Sequence, residues 1–209
     1  MFPGAPERMR RIAVAIAVSC IILFVYLPAI QNGFVNWDDN VYVYESPNIR
    51  SIDLGFFKRI VTFEANPTWH PLTLFSLGID YQIWGLNPLG YHLTNIIFHA
   101  LNTFLVFVLV TMLFDSFYNK NKVDSKGIIA AAVTALLFGI HPLHVESVAW
   151  VSERKDVLYS FFYLSAVLAY IKYASANSKK IKIKYYIFCL CLFILSLLSK
   201  PMAVTLACR

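Results

Sequence analysis

The sequence predicts an all-α membrane protein, a polytopic bundle of about five spanning helices with a long extracytoplasmic loop that carries interfacial helices. Three observations predict it. The chain is 58% hydrophobic, only 14% charged, and has a mean hydropathy of +0.61, whereas soluble domains run near ~45–50% apolar and ~25% charged. Its apolar runs recur near the ~20-residue length that a ~30 Å hydrocarbon core requires. Many of its aromatic residues, among them Tyr26, Trp37, Trp84, Tyr91, Trp150 and Tyr173, stand at the ends of those runs, where amphipathic rings favour the headgroup region.

The first run, residues 12–30, follows Arg8, Arg10 and Arg11. It outlasts the ~7–15 apolar residues of a signal peptide, and Leu27-Pro28-Ala29 makes a poor cleavage site, so it reads as an uncleaved anchor. Further spans are expected at 91–114, 127–143, 157–173 and 185–199, the third and fifth of them short. Basic residues gather at Arg8–Arg11, at Lys120, Lys122 and Lys126, and at Lys172–Lys184, while the alternate segments mix both signs. By the positive-inside rule the N-terminus is cytoplasmic and the 31–90 loop lies outside. The expected location is a bacterial plasma membrane. Topology thus accounts for the net charge of +6, and nucleic acid is not an expected partner. Cys20, Cys189 and Cys191 fall within spans and Cys208 near the end of the chain, so all read as packing residues.

The 31–90 loop is too long for a simple connector. Ser51 is placed to cap a helix reaching Glu64, with Ile52, Phe56, Ile60 and Phe63 at helical spacing, and His70-Pro71 to open a second with Leu72, Phe75, Ile79 and Trp84 on its apolar side. The expectation is a lid-like platform on the outer leaflet.

Three polar constellations interrupt the apolar pattern. Asn36-Trp37-Asp38-Asp39 places two adjacent carboxylates just beyond the first span, as a turn, a helix cap or an active site. His92, Asn95, His99 and Asn102 share one face of the second span, either as interhelical hydrogen-bond partners or as the lining of a polar cavity, with His92 nearest the outer surface. The densest group runs from His141-Pro142-Leu143-His144-Val145-Glu146 to Glu153-Arg154-Lys155-Asp156. His141, His144 and Glu146 are acceptable metal ligands, but their spacing differs from that of zinc peptidases and Pro142 interrupts the helix that would align them. No protein-bound metal is expected from them. Arg154 and Lys155 can instead hold a phosphate, unless the group is ordinary interfacial charge.

These motifs carry a family resemblance. Asn36–Asp39, Asn87–Asn95, His141–Asp156 and Ser199-Lys200-Pro-Met-Ala-Val-Thr205 together resemble the N-terminal membrane region of the tetratricopeptide-repeat-containing O-mannosyltransferase-like proteins. The resemblance covers nearly the whole chain, taken as one membrane region, 1–209. It implies a multi-span glycosyltransferase moving a sugar, mannose in the family's name, from a polyprenyl-phosphate donor to a protein hydroxyl. Asp38 would be the base, because the related enzymes use the first acid of the matching pair. Asp39 would orient it or bind the sugar or a divalent ion. Glu146, Arg154, Lys155 and Asp156 would serve the lipid phosphate, with Lys200 as a further phosphate candidate lacking an evident partner. His92 and His141 fall on the acceptor or sugar side, and His144 is a further substrate-binding candidate. Family members continue through more spans and end in helical repeats, of which this chain has none, so a fragment is expected. The rival readings are a transporter or flippase-like protein and a non-catalytic membrane scaffold.

Overall fold

In a computed structural model residues 5–62, 69–118 and 125–206 are described, and they form α-helices with short 3₁₀ and π turns and no strand. Phe63, Glu64, Lys120, Lys122 and Cys208 of the sequence reading lie outside them. The helices are α1 (Ala5–Tyr26), α2 (Leu54–Val61), α3 (Pro71–Trp84), α4 (Pro88–Tyr118), α5 (Ser125–Ile140), α6 (His144–Ala149), α7 (Arg154–Ala174) and α8 (Lys179–Ser199). Four segments are long and apolar enough to cross a membrane: Glu7–Gln31, Pro88–Ser116, Val151–Ala174 and Lys179–Ser199. The chain is a multi-pass membrane protein.

α5 is apolar but has only 16 residues. It stops at Ile140 instead of reaching Leu143, because Pro142 has no amide hydrogen to continue the ladder. α8 begins six residues before the expected position, at Lys179, and takes in four lysines whose long stems keep their ammonium groups at the surface.

The bundle divides into two packed groups. α1, α4 and α5 meet through Ala15, Val18, Val106, Phe107, Ile128, Ala131 and Ala135. Ala131, Ala135 and Gly139 recur every fourth residue along α5 and are buried, the small-residue stripe that lets helices approach in lipid. At one end Arg11 donates two bonds of 2.7 Å to Asp115, setting the start of α1 beside the end of α4. α7 and α8 form a helical hairpin in which Ser196 donates to the Tyr159 carbonyl at 3.0 Å and Ala166, Ala169 and Leu192 are buried. Phe24, Ile129, Leu137 and Ile194 stay exposed, as a lipid-facing surface requires.

Three of the four residues of the polar stripe on α4, Asn95, His99 and Asn102, bond to carbonyls of neighbouring segments. Asn95 donates to the Trp150 carbonyl at 3.0 Å and Asn102 to the Val157 carbonyl at 2.9 Å. His99 Nε2 lies 2.8 Å from the Gly139 carbonyl and therefore donates to it. A Cβ on Gly139 would come within 2.5 Å of Ile22 Cδ1 and 2.9 Å of Thr103 Oγ1, and both neighbours are buried. Gly139→Ala is therefore expected to destabilise the bundle by about 1–3 kcal/mol through overpacking. Thermal unfolding in detergent measures it, and an unchanged midpoint would contradict the close approach.

The described residues of the 31–90 loop form a small core of Val43, Ile49, Phe56, Ile60, Leu74 and Leu77, completed by Tyr91 of α4 and Val151 of the turn before α7. α2 starts at Leu54 because Asp53, not Ser51, caps it: the Asp53 carboxylate accepts from the Phe56 amide at 2.7 Å, while the Ser51 hydroxyl donates to the same carboxylate at 3.0 Å. Phe56 and Ile60 face this protein core, so the stripe expected to rest on lipid instead docks α2 onto α3. α3 opens at Pro71 as expected. Thr73 donates to the Ser199 carbonyl at 2.9 Å, which ties the first turn of α3 to the end of α8.

Candidate functional site

Asp39 is fully buried and accepts from the amides of Val35 at 3.0 Å and Ser152 at 2.9 Å, and from the Ser152 hydroxyl. None of the three caps an α-helix. The two from Ser152 span 113 residues of sequence and clamp the turn after α1 to the turn before α7. Asp38, next along the chain, keeps a side chain 41% exposed and stands 3.9 Å from Lys155 Nζ. The pair thus divides into a buried anchor and an accessible carboxylate.

Asp38 heads a chain of charges. Lys155 bonds Glu153 at 2.8 Å, Glu153 lies 4.0 Å from Lys200, and Lys200 is paired with Asp156, which accepts from Ser147 at 3.2 Å. Lys155 also sits 5.5 Å from the centre of the Tyr42 ring. The first turn of α7 supplies Asp156 and Lys155, the preceding 3₁₀ turn supplies Glu153, and the end of α8 supplies Lys200. Lys200 accordingly has partners in Asp156 and Glu153, which corrects its reading as an unpaired cation. At 3.9 Å the Asp38–Lys155 contact is looser than a charge-assisted bond of ~2.7–2.9 Å.

Arg154, between Glu153 and Lys155, faces the opposite way. Its guanidinium is fully buried; it donates to Asn95 Oδ1, to Ser76 at 2.8 Å, to Asp80 at 2.7 Å and to the Tyr91 carbonyl at 2.8 Å. Asp80 is completed by the Thr94 hydroxyl at 2.9 Å. Four donor contacts are thus taken up by α3 and α4, and the sequence-based assignment of Arg154 to a phosphate gives way to a post that joins three helices. Beside the post opens a crevice of about 250 Å³ lined by Phe75, Ile79, Asp80, Thr94, Phe98 and Phe162.

The remaining predicted residues stand apart from the charge chain. His141 and Glu146 are exposed and form no ion pair among the described residues. His144 is half-buried with its ring 4.7 Å from Phe138 and 5.6 Å from His99; burial, then His141, holds its imidazole below the usual value. His92 is buried on α4 within electrostatic reach of Asp39. Among the described residues no group of three His, Cys, Asp or Glu converges to hold a metal ion.

Three participants escaped the sequence reading. Glu153 lies inside the His141–Asp156 motif but was given no role; it bridges both lysines. Asp80 is a lone acid in an apolar helix, and the rule that an ionised group within a membrane needs a partner was the signal that could have found it. In the sequence His70 marks only the opening of α3. Its Nδ1 is buried with no hydrogen-bond partner among the described residues, and burial, then Lys155 and Lys200, pushes its imidazole down to about 4.

Comparison with known proteins sets this geometry in a family. No family model matches the chain, and no solved structure does. Over 187 residues, 84% of its length, it is 29% identical to Protein O-mannosyl-transferase F38B6.6 of Caenorhabditis elegans. Over 160 residues, 73% of its length, it is 31% identical to Protein O-mannosyl-transferase Tmtc1 of Drosophila melanogaster, and over 113 residues, 54%, it is 37% identical to Protein O-mannosyl-transferase TMTC2 of Homo sapiens. These matches span 25%, 17% and 12% of the relatives' own lengths. The relatives are animal proteins, and they lend no support to the expected bacterial plasma membrane. With its all-helical bundle and four apolar spans, the chain is a TMTC-like membrane protein, related over most of its own length to part of the protein O-mannosyl-transferases.

Proposed function

We propose that this protein, in its full length, transfers mannose from a polyprenyl-phosphate donor to a hydroxyl of a protein acceptor at the junction of the 31–90 loop and the turn before α7. The carrying observation is the chain of charges that sets an accessible carboxylate, Asp38, beside the Lys155 ammonium, which Glu153 links to Lys200. Asp38 accepts the proton of the acceptor hydroxyl while that oxygen bonds to the anomeric carbon. The bond from that carbon to the phosphate oxygen breaks, and the polyprenyl phosphate leaves with the electron pair. The ammonium groups of Lys155 and Lys200 stabilise the charge released on the leaving phosphate. Each has three donors and is held by Glu153, so it can meet phosphate without giving up its partner. Asp39 positions Asp38 through the clamp to Ser152. The name of the relatives, protein O-mannosyl-transferase, supports the sugar and the acceptor, and the crevice beside Asp80 offers an apolar surface for a lipid donor.

Donor choice tests the reading. The full-length protein in detergent should label a threonine-containing peptide from a polyprenyl-phosphate mannose and not from a soluble sugar nucleotide. Labelling from the nucleotide alone would overturn it.

The same reading sets the site outside and the N-terminus in the cytoplasm. Cysteines introduced at Asn36 and Leu143, both exposed, should react with an impermeant maleimide on sealed cells, and one at Asn177 only after permeabilisation. Reaction of Asn177→Cys in intact cells would reverse the topology.

A further inference from the structure

Thr73 and Ser199 bring His70 to the charge chain. Their 2.9 Å bond joins the first turn of α3 to the last residue of α8. His70 is three residues before Thr73 and Lys200 follows Ser199, so the bond draws both onto the flank of the turn that carries Lys155. The charged neighbours of His70 are Lys155, Lys200 and Asp156. Its Nδ1 is buried and has no hydrogen-bond partner among the described residues, a loss that a ligand accepting from it would relieve. A carboxylate ligand there would duplicate Glu153 and Asp156, whereas a phosphate has further oxygens for a third donor.

We infer that His70 is a phosphate-binding residue of this site, donating its Nδ1–H to a phosphoryl oxygen that Lys155 and Lys200 hold from the other side. The inference rests on the transferase reading for the source of the phosphate, and on the unpartnered nitrogen for the residue. The imidazole stays neutral, because burial and then the Lys155 and Lys200 ammonium groups hold it below its usual value. It gives up no proton: the phosphate leaves as an anion, and His70 donates one hydrogen bond before and after the sugar departs. Neutrality has a use here. A third full positive charge would repel both lysines, while a neutral donor adds a bond without disturbing their pairing.

Calorimetric titration of the full-length protein in detergent with farnesyl phosphate, inorganic phosphate and farnesol tests this. Wild type should bind farnesyl phosphate in preference to farnesol. His70→Ala should lose about ten- to hundredfold of that affinity, the range for a hydrogen bond to a charged group, with farnesol binding unchanged. His70→Asn, which carries an amide nitrogen near the position of Nδ1, should stay within about threefold of wild type. If the alanine variant does not fold, His70→Phe fills the same space without a donor and replaces it. Equal dependence on His70 with inorganic phosphate would assign the site to the phosphate group itself; dependence with farnesyl phosphate alone would assign it to the lipid-linked form.

The inference is overturned if wild type does not discriminate farnesyl phosphate from farnesol. It is also overturned if the donor-less variant binds farnesyl phosphate as wild type does, or if His70→Asn is as weak as His70→Ala. Two outcomes separate it from the transferase reading. Sugar transfer with wild-type phosphate binding by His70→Ala would remove His70 alone, whereas His70-dependent phosphate binding without any transfer would leave the phosphate site and remove the transferase.

Discussion

Asp38→Asn in the full-length protein is expected to lower mannose transfer by roughly 10²–10⁴-fold, the loss typical of a missing general base, and to leave donor-lipid binding within about threefold. The substitution keeps the size of the side chain and part of its hydrogen bonding. It removes the lone pair that takes the proton and the charge that faces Lys155 at 3.9 Å. Freed from that contact, Lys155 keeps Glu153 at 2.8 Å, so the phosphate side of the site should hold its shape. Single-turnover transfer measured beside equilibrium binding of the donor separates the two effects. A variant that transfers at close to the wild-type rate would return Asp38 to a surface turn. Asp39→Asn should behave differently in kind. Its carboxylate is an acceptor for three groups across the clamp, so its loss should lower stability together with rate.

The second large effect belongs to Arg154. Arg154→Ala leaves the buried Asp80 without its charge partner, and strips Asn95, Ser76 and the Tyr91 carbonyl of their donor. Breaking a buried pair from one side costs about 3–5 kcal/mol. The expected result is a protein that unfolds early in detergent, in place of a folded enzyme with weak donor binding. Arg154→Lys should rescue little, because one ammonium cannot reach acceptors arranged around a planar fork. The double variant Arg154→Met, Asp80→Leu removes both charges and should be less damaged than Arg154→Ala. Unfolding midpoints of the three variants measure this. A stable Arg154→Ala with only a weakened affinity for donor would restore Arg154 to the phosphate.

What the sequence made legible is what local spacing encodes. Four of the spans follow from runs of bilayer length, and the start of α3 follows from Pro71. The one-face register of Asn95, His99 and Asn102 follows from helical periodicity, although only the neighbouring helices could show that they bond carbonyls instead of lining a cavity. Several charge partners were hidden because they join residues far apart in the chain. Asp80 lies 74 positions from Arg154, and Lys200 lies 44 from Asp156. Within the Glu153–Asp156 run, sequence treats neighbouring charges as equivalent. The structure separates them, because the helical turn points Arg154 inward while Glu153, Lys155 and Asp156 stay on the accessible side. The same separation divides Asp38 from Asp39.

The measurement that bears most directly on the proposed site is side-resolved transfer in sealed vesicles. Full-length protein of known orientation, set by maleimide reaction at Leu143→Cys, would be reconstituted with polyprenyl-phosphate mannose and offered a membrane-impermeant threonine peptide on one side at a time. Mannose should reach the peptide only on the side where Leu143→Cys reacts. Transfer confined to the side where Asn177→Cys reacts would contradict a site built from Asp38, Lys155 and Lys200.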